Sequence, residues 1–425
     1  MRKTIKLALT AAMILGTTSA FATNGSNLIG TGAKSRAMGG TSVGVAHGAE
    51  SGLSNVALIT TVKDTEIAFG GTIFMPDVSN SMGQPGMMYP AETSDADMNV
   101  IPEVSIVSKI NDNFYMGIGM WGTAGMGVDY RGDDYNFNMV TNLQLMQFGI
   151  PLAYKMGGLS IGLTPILQYG SLDMNYNGQL DTSSAFAGGM APATSAVVTH
   201  NAGVSQDLKI GYNVGLAYEI ADITFGLSYK SQIDMNYKGQ MSGASQPFAD
   251  FGMFGGQALS DNLSTPAEIG LGVSYKFNEH TIAADFKQIN WSDADGYSDF
   301  GWEDQSVIAL GYEYQTKNWA ARIGYNSGSN PIAAQATADD MDPTGSAVNM
   351  FNLLGFPGIV ESHITLGGSY NVSKTTSFDI AYTYAPEVTE TYSTADFAAF
   401  GPMNPTQITT THSQTSLSFG VNYNF

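Results

Sequence analysis

Five histidines, His47, His200, His280, His363 and His412, are the side chains of this 425-residue sequence best suited to metal or proton chemistry. They are scattered along the chain, and none stands at metal-ligand spacing to another. Cysteine is absent, which removes disulfides, thiol chemistry and cysteine-ligated metal sites. A Ser–His nucleophile needs both side chains on one site with an orienting group. His412 and Ser413 are adjacent, but neighbours on a strand point to opposite faces. No phosphate loop is present. The sequence therefore predicts no catalytic residue, no metal site and no cofactor: this is not an enzyme.

The elements that would position any other site are strands. At the carboxy-terminus, Leu417, Phe419, Val421, Tyr423 and Phe425 alternate with Ser416, Ser418, Gly420, Asn422 and Asn424. A strand with one apolar and one polar face suits a barrel wall with lipid outside and a polar lumen inside. The start of the chain agrees. Met1-Arg2-Lys3-Thr4-Ile5-Lys6 precedes an apolar stretch from Leu7 to Leu15 and an Ala20-Phe21-Ala22 site. That is a cleavable leader over residues 1–22, and the mature chain is expected to begin at Thr23. No later segment offers ~18 consecutive apolar residues for a helical span. Charged residues make up 13% of the chain, against about 25% in soluble domains, while Tyr, Phe and Gly number 21, 21 and 50. This balance fits a membrane β-barrel. The net charge of −20 argues against nucleic-acid binding and disfavours anionic solutes in an acidic lumen.

Strands are expected at about 64–75, 98–110, 114–130, 138–156, 159–175, 207–221, 223–237, 265–278, 281–295, 305–316, 319–328, 361–372, 375–390 and 411–425. That is an all-β, transmembrane antiparallel barrel of about 14 strands over residues 64–425. Ile269, Leu271, Val273, Tyr275 and Phe277 face lipid, with Glu268, Gly270, Gly272, Ser274 and Lys276 inside. Phe378, Ile380, Tyr382 and Tyr384 likewise alternate with Ser377, Asp379, Ala381 and Thr383. Tight turns at 111–113, 157–158, 222, 278–280, 316–318 and 373–374 alternate with long loops near 76–97, 176–206, 238–264, 329–360 and 391–410. Short periplasmic turns and long outer loops mark a bacterial outer-membrane barrel.

Residues 23–63 do not alternate. Their glycines and small residues allow a compact, bent path, and a segment of this length placed before the first strand is expected to fold back and plug the barrel. This region resembles the amino-terminal hatch of the FadL/TodX-type transporters of hydrophobic compounds. The resemblance rests on Ser35-Arg36-Ala37-Met38-Gly39-Gly40-Thr41 and on Asn55-Val56-Ala57-Leu58. The family usually has Asn-Pro-Ala at the latter place, so Val56 makes the hatch turn less rigid. The likeness continues through Ile110-Asn111-Asp112-Asn113-Phe114, the third strand and the strand count to the terminal Phe.

The resemblance implies passive uptake of hydrophobic small molecules, long-chain fatty acids or neutral and aromatic hydrocarbons. The hatch would block the lumen, and a kink in the third strand would open a side hole. Gly117, Gly119, Gly122, Gly125 and Gly127 crowd that strand, and Gly122-Thr123-Ala124-Gly125 aligns with the kink. Long outer loops would form an apolar collecting groove, with Phe186, Met190, Phe248, Phe251, Met253 and Phe254, and Tyr176 is a further ligand-binding candidate. At points where the fatty-acid branch carries a basic pair and an acidic partner, this chain has Tyr176, Ser298 and Gly328. Lys230, Lys238 and Lys287 are left to meet a carboxylate. The partners implied are apolar ligand, outer-membrane lipid and lipopolysaccharide, with the barrel working as a monomer. A general diffusion porin and a surface adhesin or receptor built on the outer loops are the alternative readings.

Overall fold

Backbone groups facing lipid must pair within the protein, so a wall of two-faced strands has to close on itself. The computed structural model describes residues 23–183, 195–337 and 343–425. The expected leader at 1–22, and Phe186 and Met190 of the expected groove, lie outside the described residues. Fourteen antiparallel strands form the wall. They are β1 (Thr65–Gln84), β2 (Asn99–Lys109), β3 (Phe114–Asp129), β4 (Val140–Gly149, resuming as Leu152–Met156), β5 (Leu159–Asp181), β6 (Ser195–Asn201 and Ser205–Ile220) and β7 (Ile223–Lys230). The ring continues with β8 (Glu268–Phe277), β9 (His280–Ile289), β10 (Gln305–Gln315), β11 (Trp319–Gly328), β12 (Ser362–Asn371), β13 (Thr376–Ser393) and β14 (Gln407–Asn424). β14 closes on β1, from Gln407↔Gly83 to Asn424↔Glu66.

Alternation sets the facing. Ile269, Leu271, Val273 and Tyr275 are 37% to 55% exposed on the outside, while Glu268, Gly270 and Ser274 are buried within. Phe378, Ile380, Tyr382 and Tyr384 point out, and Asp379, Ala381 and Thr383 point in. At the short-turn end, Trp319, Tyr314, Tyr275, Phe277 and His280 form ring contacts on the rim.

Several boundaries move. β1 continues to Gln84 through half of the expected loop 76–97, and β5 runs to Asp181 where a loop was expected from 176. β6 has an outer piece, Ser195–Asn201, that alternation did not mark. β7 and β9 stop early, at Lys230 and Ile289. For the strands that run longer the cause is common: beyond the lipid, the outer face of a strand meets water, and the apolar–polar rhythm that reports a strand fades. Residues 290–304 are a further long connection, absent from the expected set.

The segment before β1 enters the lumen from the short-turn end. It makes a hairpin (Thr23–Asn24 with Asn27–Leu28), α1 (Gly32–Ala37), a 3₁₀ turn (Gly48–Glu50), α2 (Ser51–Ser54) and a 3₁₀ helix (Val56–Thr61). It meets the wall all the way round: Glu66 on β1, Glu103 on β2, Ser160 on β5, Leu216 on β6, Ser274 on β8, Asp285 on β9, Asn326 on β11, Thr365 on β12 and Gln414 on β14. Inward glycines let two backbones touch. A Cβ at Gly226 would lie 1.8 Å from Val43 O, and one at Gly324 would lie 2.0 Å from Gly39 N. Above this segment the outer loops turn inward. Residues 231–267, with α3 (Met241–Ala249), 290–304, 329–337 and 343–361, with α4 (Thr344–Met350), bury one continuous apolar cluster inside the upper barrel.

Candidate functional site

β3 carries a break in the wall. Tyr115–Trp121 pair with Lys109–Glu103 of β2, and beyond Trp121 that pairing stops. From there β2 keeps only β1, through Asn99–Pro102 with Phe74–Gly71. β3 stays paired with β4, but the register shifts between Gly122 and Ala124, leaving Thr123 as an extra residue. Such a bulge bends its strand. Two residues favour the break here. Pro102 has no N–H to give a ladder. Gly122 has no room for a side chain, since a Cβ would lie 2.5 Å from Ile101 Cγ2. Gly122, Thr123, Ala124 and Gly125 thus lie together at the bend.

The hairpin at the start of the amino-terminal segment fills the gap. Asn27 pairs with Ala124, and Gly125 N donates to Ser26 O at 3.1 Å. Leu28 packs on Phe74 and Ile101. Gly25, at φ +62°, lies where a Cβ would come 2.7 Å from the Trp291 ring. Ser26 Oγ is 3.0 Å from Tyr297 OH, and Thr23 N donates to Gln414 Oε1 at 3.1 Å. Both side-chain polar atoms of Asn99, together with Thr123 Oγ1 and Asn24 Oδ1, are buried here with no hydrogen-bond partner among the described residues. Each such group costs about 1–3 kcal/mol.

Lower in the lumen the segment is held by charge and backbone. Arg36 donates to Glu103 at 2.5 and 3.0 Å and to Thr72 at 2.9 Å. Asp285 accepts from the N–H groups of Ser42, Val43 and Gly44 at 2.6, 2.8 and 3.2 Å. Asn55 opens the Val56–Thr61 turn: its Oδ1 accepts from Ala57 N, and its Nδ2 donates to Val43 O and Leu216 O. Val56 packs with Ile59, Val62, Val107 and Tyr115, and Ala57 with Leu58 and Ala217. Two buried groups of the segment are shifted. Burial pushes the Glu50 carboxyl up to about 8, against the pull of Lys34, and Glu50 Oε2 has no hydrogen-bond partner among the described residues. Burial lowers the His47 imidazole to about 3, and its Nε2 is 2.7 Å from Thr41 O.

The upper lumen is aromatic. Trp291, Tyr297 and Trp302 lie with ring centres 4.6 to 5.0 Å apart. Tyr176 faces inward from β5, donates to Ala244 O at 2.6 Å, and meets Phe248 and Phe351, which are 5.2 Å apart. Phe251 and Phe254 sit higher, partly buried against the same cluster, with Phe251 5.7 Å from Phe400. Small cavities remain along this path, one beside Met126, Tyr297, Phe300 and Trp302, and one beside Thr23, Gly125, Met126 and His412. A larger hollow of about 690 Å³, at the outer end of β3–β6, has a mixed lining, with Asp95, Asp129, Arg131 and Asp173 beside Val128, Val140, Tyr176 and Val204. Tyr176, Ser298 and Gly328 do not form a group: Ser298 is exposed, and Gly328 lies beside Gln305 and Asn24. Lys238 is exposed, whereas Lys230 and Lys287 line a cavity behind the β3 bulge.

Residues 10–345 match the family described as outer membrane protein transport protein (OMPP1/FadL/TodX). The chain belongs to this family. Its barrel is accordingly placed in the bacterial outer membrane, in a family of transporters and not of enzymes. The long-chain fatty acid transport protein of Shigella flexneri is 24% identical over 377 residues, 78% of this chain and 80% of that protein. The 47 kDa outer membrane protein of Pasteurella multocida is 23% identical over 369 residues, 78% and 79% of the two chains. Among solved structures, a Pseudomonas aeruginosa FadL homologue superposes with a TM-score of 0.72 at 17% identity, covering 94% of this chain and all of that one. The Pseudomonas putida toluene transporter TodX gives 0.66 at 18% identity, covering 95% and 100%. These structures share the fold.

Sequence reasoning missed the aromatic residues of 290–304 and 351–356, because loops carry no period to follow. The cluster Trp291, Tyr297, Phe300 and Trp302, four large rings within one short non-alternating stretch, was the available signal. Pro102, in the middle of an otherwise regular strand, was the other.

Proposed function

We propose that this protein carries hydrophobic small molecules passively across the outer membrane, through an apolar upper lumen and out sideways at the β3 bend. The observation that carries the reading is the separation of β3 from β2 beyond Trp121, with the amino-terminal hairpin seated in the gap. The aromatic lining above favours apolar cargo. Below, the same cargo would meet buried Arg36, Glu103 and Asp285, which are costly to desolvate against a hydrocarbon. The residues 23–63 then act as a hatch, with Asn55, Val56 and Ala57 as its turn, and Gly122–Gly125 as the lateral opening. Tyr176, Phe251 and Phe254 belong to the cargo path, and the family relatives named for fatty acids and toluene agree with apolar cargo. A general porin is not favoured, because the segment fills the lumen that a porin keeps open.

The chain lacks cysteine, so a test disulfide has a clean background. Asn27→Cys with Ala124→Cys places the pair at facing positions of hairpin and bend. Oxidation is expected to stop uptake of an apolar probe by cells, and reduction to restore it. Unchanged uptake with the disulfide formed would falsify the lateral route.

A further inference from the structure

The hollow of about 690 Å³ at the outer end of β3–β6 lies off the route proposed above. Pairing shows which face it opens on. Asp129 is opposite Val140, Asn142 is opposite Asp173, and Asn175 has Val140 on one side and Asn201 on the other. These positions alternate with Thr141, Met174 and Tyr176, which point into the lumen. The hollow therefore opens mainly on the outside of the wall. Along the same row of β5, Leu163 and Leu167 are 43% and 40% exposed, and Tyr169, Ser171, Asp173, Asn175 and Asn177 follow. Asp173 is six residues beyond Leu167, about 20 Å further along the strand. That is past the aromatic level at Tyr169 and above the hydrocarbon. Two rims make a hollow of this stretch of wall. On one side, Asp95 N donates to Asp129 O and Asp129 N to Ser94 Oγ, each at 2.9 Å, which folds residues 94–96 against β3. On the other, β6 breaks between Asn201 and Ser205, where Gly203 takes φ +69° and Val204 is 60% exposed.

The polar groups of the lining are mostly acceptors. Three carboxylates, Asp95, Asp129 and Asp173, stand against one guanidinium, Arg131, which is already paired with Asp129. Asn175 Nδ2 donates to Asp173 Oδ1 at 2.8 Å. That leaves Asn175 Oδ1, and Asn142 Oδ1 beside it, with no hydrogen-bond partner among the described residues. His200, 7% exposed, is a third such group in the lining, through its Nε2. A lining with excess negative charge repels an anion. An apolar molecule would leave its acceptors unmatched. A hydroxyl supplies a donor without charge and can accept in return. A sugar ring presents several hydroxyls, together with C–H faces that fit against Val140 and Val204.

We propose that this hollow binds a neutral, hydroxyl-rich saccharide on the outside of the barrel wall. Sugar hydroxyls donate to Asp173 and to the amides of Asn142 and Asn175, which a half-turn about χ2 presents to the ligand. The volume is within the range of about 300–1,000 Å³ found for small-ligand sites. The level of the hollow, just above the hydrocarbon, puts it beside the sugar chains of outer-leaflet glycolipid. A free oligosaccharide offers the same chemistry, and the test separates the two sources. Nothing in this site depends on the transport reading.

The test again uses the absence of cysteine. Val204→Cys puts one thiol on the rim of the hollow, and Met403→Cys puts one on an outer loop that does not line it, at a side chain 76% exposed. Each purified full-length barrel is timed in its reaction with a water-soluble maleimide. The added sugars are maltohexaose, hexagalacturonate, and lipopolysaccharide with either a complete or a heptose-deficient core, the last keeping only anionic sugars. Maltohexaose or complete-core lipopolysaccharide is expected to slow Val204→Cys about tenfold at about ten times its Kd, and to leave Met403→Cys unchanged. Protection by maltohexaose shows that free sugar suffices. Protection by complete-core lipopolysaccharide alone makes the membrane-borne sugar the ligand, and either result supports the site. Equal protection by hexagalacturonate or by the heptose-deficient form overturns the neutral-sugar reading. Protection by none of the sugars, or equal protection at Met403→Cys, overturns the site. Adding Asp173→Ala and Asn175→Ala to Val204→Cys is expected to abolish protection, and protection that survives overturns the site. Folded-barrel mobility on a gel checks that variant. If the mobility is lost, Asn142→Leu takes its place: protection lost in a folded barrel supports the site, and protection kept overturns it.

Discussion

In the upper lumen, side chains from three loops meet as Trp291, Tyr297, Trp302, Phe248 and Phe351, and hold one another by ring contacts. In the lower lumen, the amino-terminal segment is held by Glu103, Asp285, Glu66 and Asp379 on the wall, through Arg36, Lys34 and backbone N–H groups. The β3 bend lies where the two regions meet. An apolar molecule is at home in the first region and not in the second. In the proposed route the change of lining, more than any narrowing, is what directs such a molecule toward the wall.

The sharpest way to break this comparison is to damage one region and watch the other. Glu103→Ala leaves Arg36 buried without its acid, which is expected to cost about 3–5 kcal/mol of segment seating. Ion conductance should rise as the segment leaves, while apolar binding above persists. The double change Arg36→Met with Glu103→Leu removes both charges and should restore most of the seating. Loss of apolar binding in Glu103→Ala at unchanged conductance would show that the two regions are not separable.

The next effect in size is a pH dependence confined to the lower region. Glu50 has a raised folded value, about 8 against 4.5, so its favourable contribution is complete below 4.5 and is lost as pH climbs toward 8. His47 has a lowered one, about 3 against 6.5, so its contribution is complete above 6.5 and is lost as pH falls. Between 4.5 and 6.5 the two slopes oppose. Between 6.5 and 8 only Glu50 acts, and seating should weaken by about 2 kcal/mol. The charges facing Glu50 are Lys34, Asp379, Glu103 and Glu66. Conductance should therefore rise from pH 6.5 to 8 in wild type and stay flat in Glu50→Gln. An equal rise in both would remove Glu50 from the account.

The wall was readable because lipid on one side and polar groups on the other impose a period of two, as Ile269 to Tyr275 show. The bend was half readable. The glycines of β3 marked a weak strand, but pairing decides that Trp121 is the last residue held by β2, and pairing has no local signature. The charged grip was invisible: Arg36 and Glu103, or Ser42 and Asp285, meet across large sequence separations. Of the expected cargo contacts, Tyr176 is on β5 and not on a loop; it meets Phe248 of the expected groove, while its other ring neighbour, Phe351, comes from a stretch with no period to read.

A smaller effect probes the upper region alone. Trp302→Ala removes a ring that contacts Trp291 and Tyr297 and an indole N–H given to Asn352 Oδ1 at 3.0 Å. Aromatic pairs contribute about 0.5–1.5 kcal/mol beyond area, so apolar probe affinity should fall by up to about tenfold. Conductance should not move. A conductance increase here would mean that the rings clamp the hairpin around Gly25 more than they line a path.

The smallest effect concerns Val56. Proline is usual at this place in the family, and the local geometry accepts it. Asn55 stands at φ −122°, ψ 100°, the extended region that a residue before proline prefers. Val56 opens a helical turn, where a backbone N–H is dispensable. Against this, Val56 is 1% exposed and belongs to one buried cluster with Ile59 and Val62, packing that a proline ring keeps in part. Restricting the free segment favours the seated form by about 0.4–1 kcal/mol. Val56→Pro is thus expected to strengthen seating by less than about 1 kcal/mol, read as lower conductance at pH 8, where the Glu50 contribution is weakest. An increase in conductance would show that the valine packing, and not the stiffness of the turn, holds this end of the segment in place.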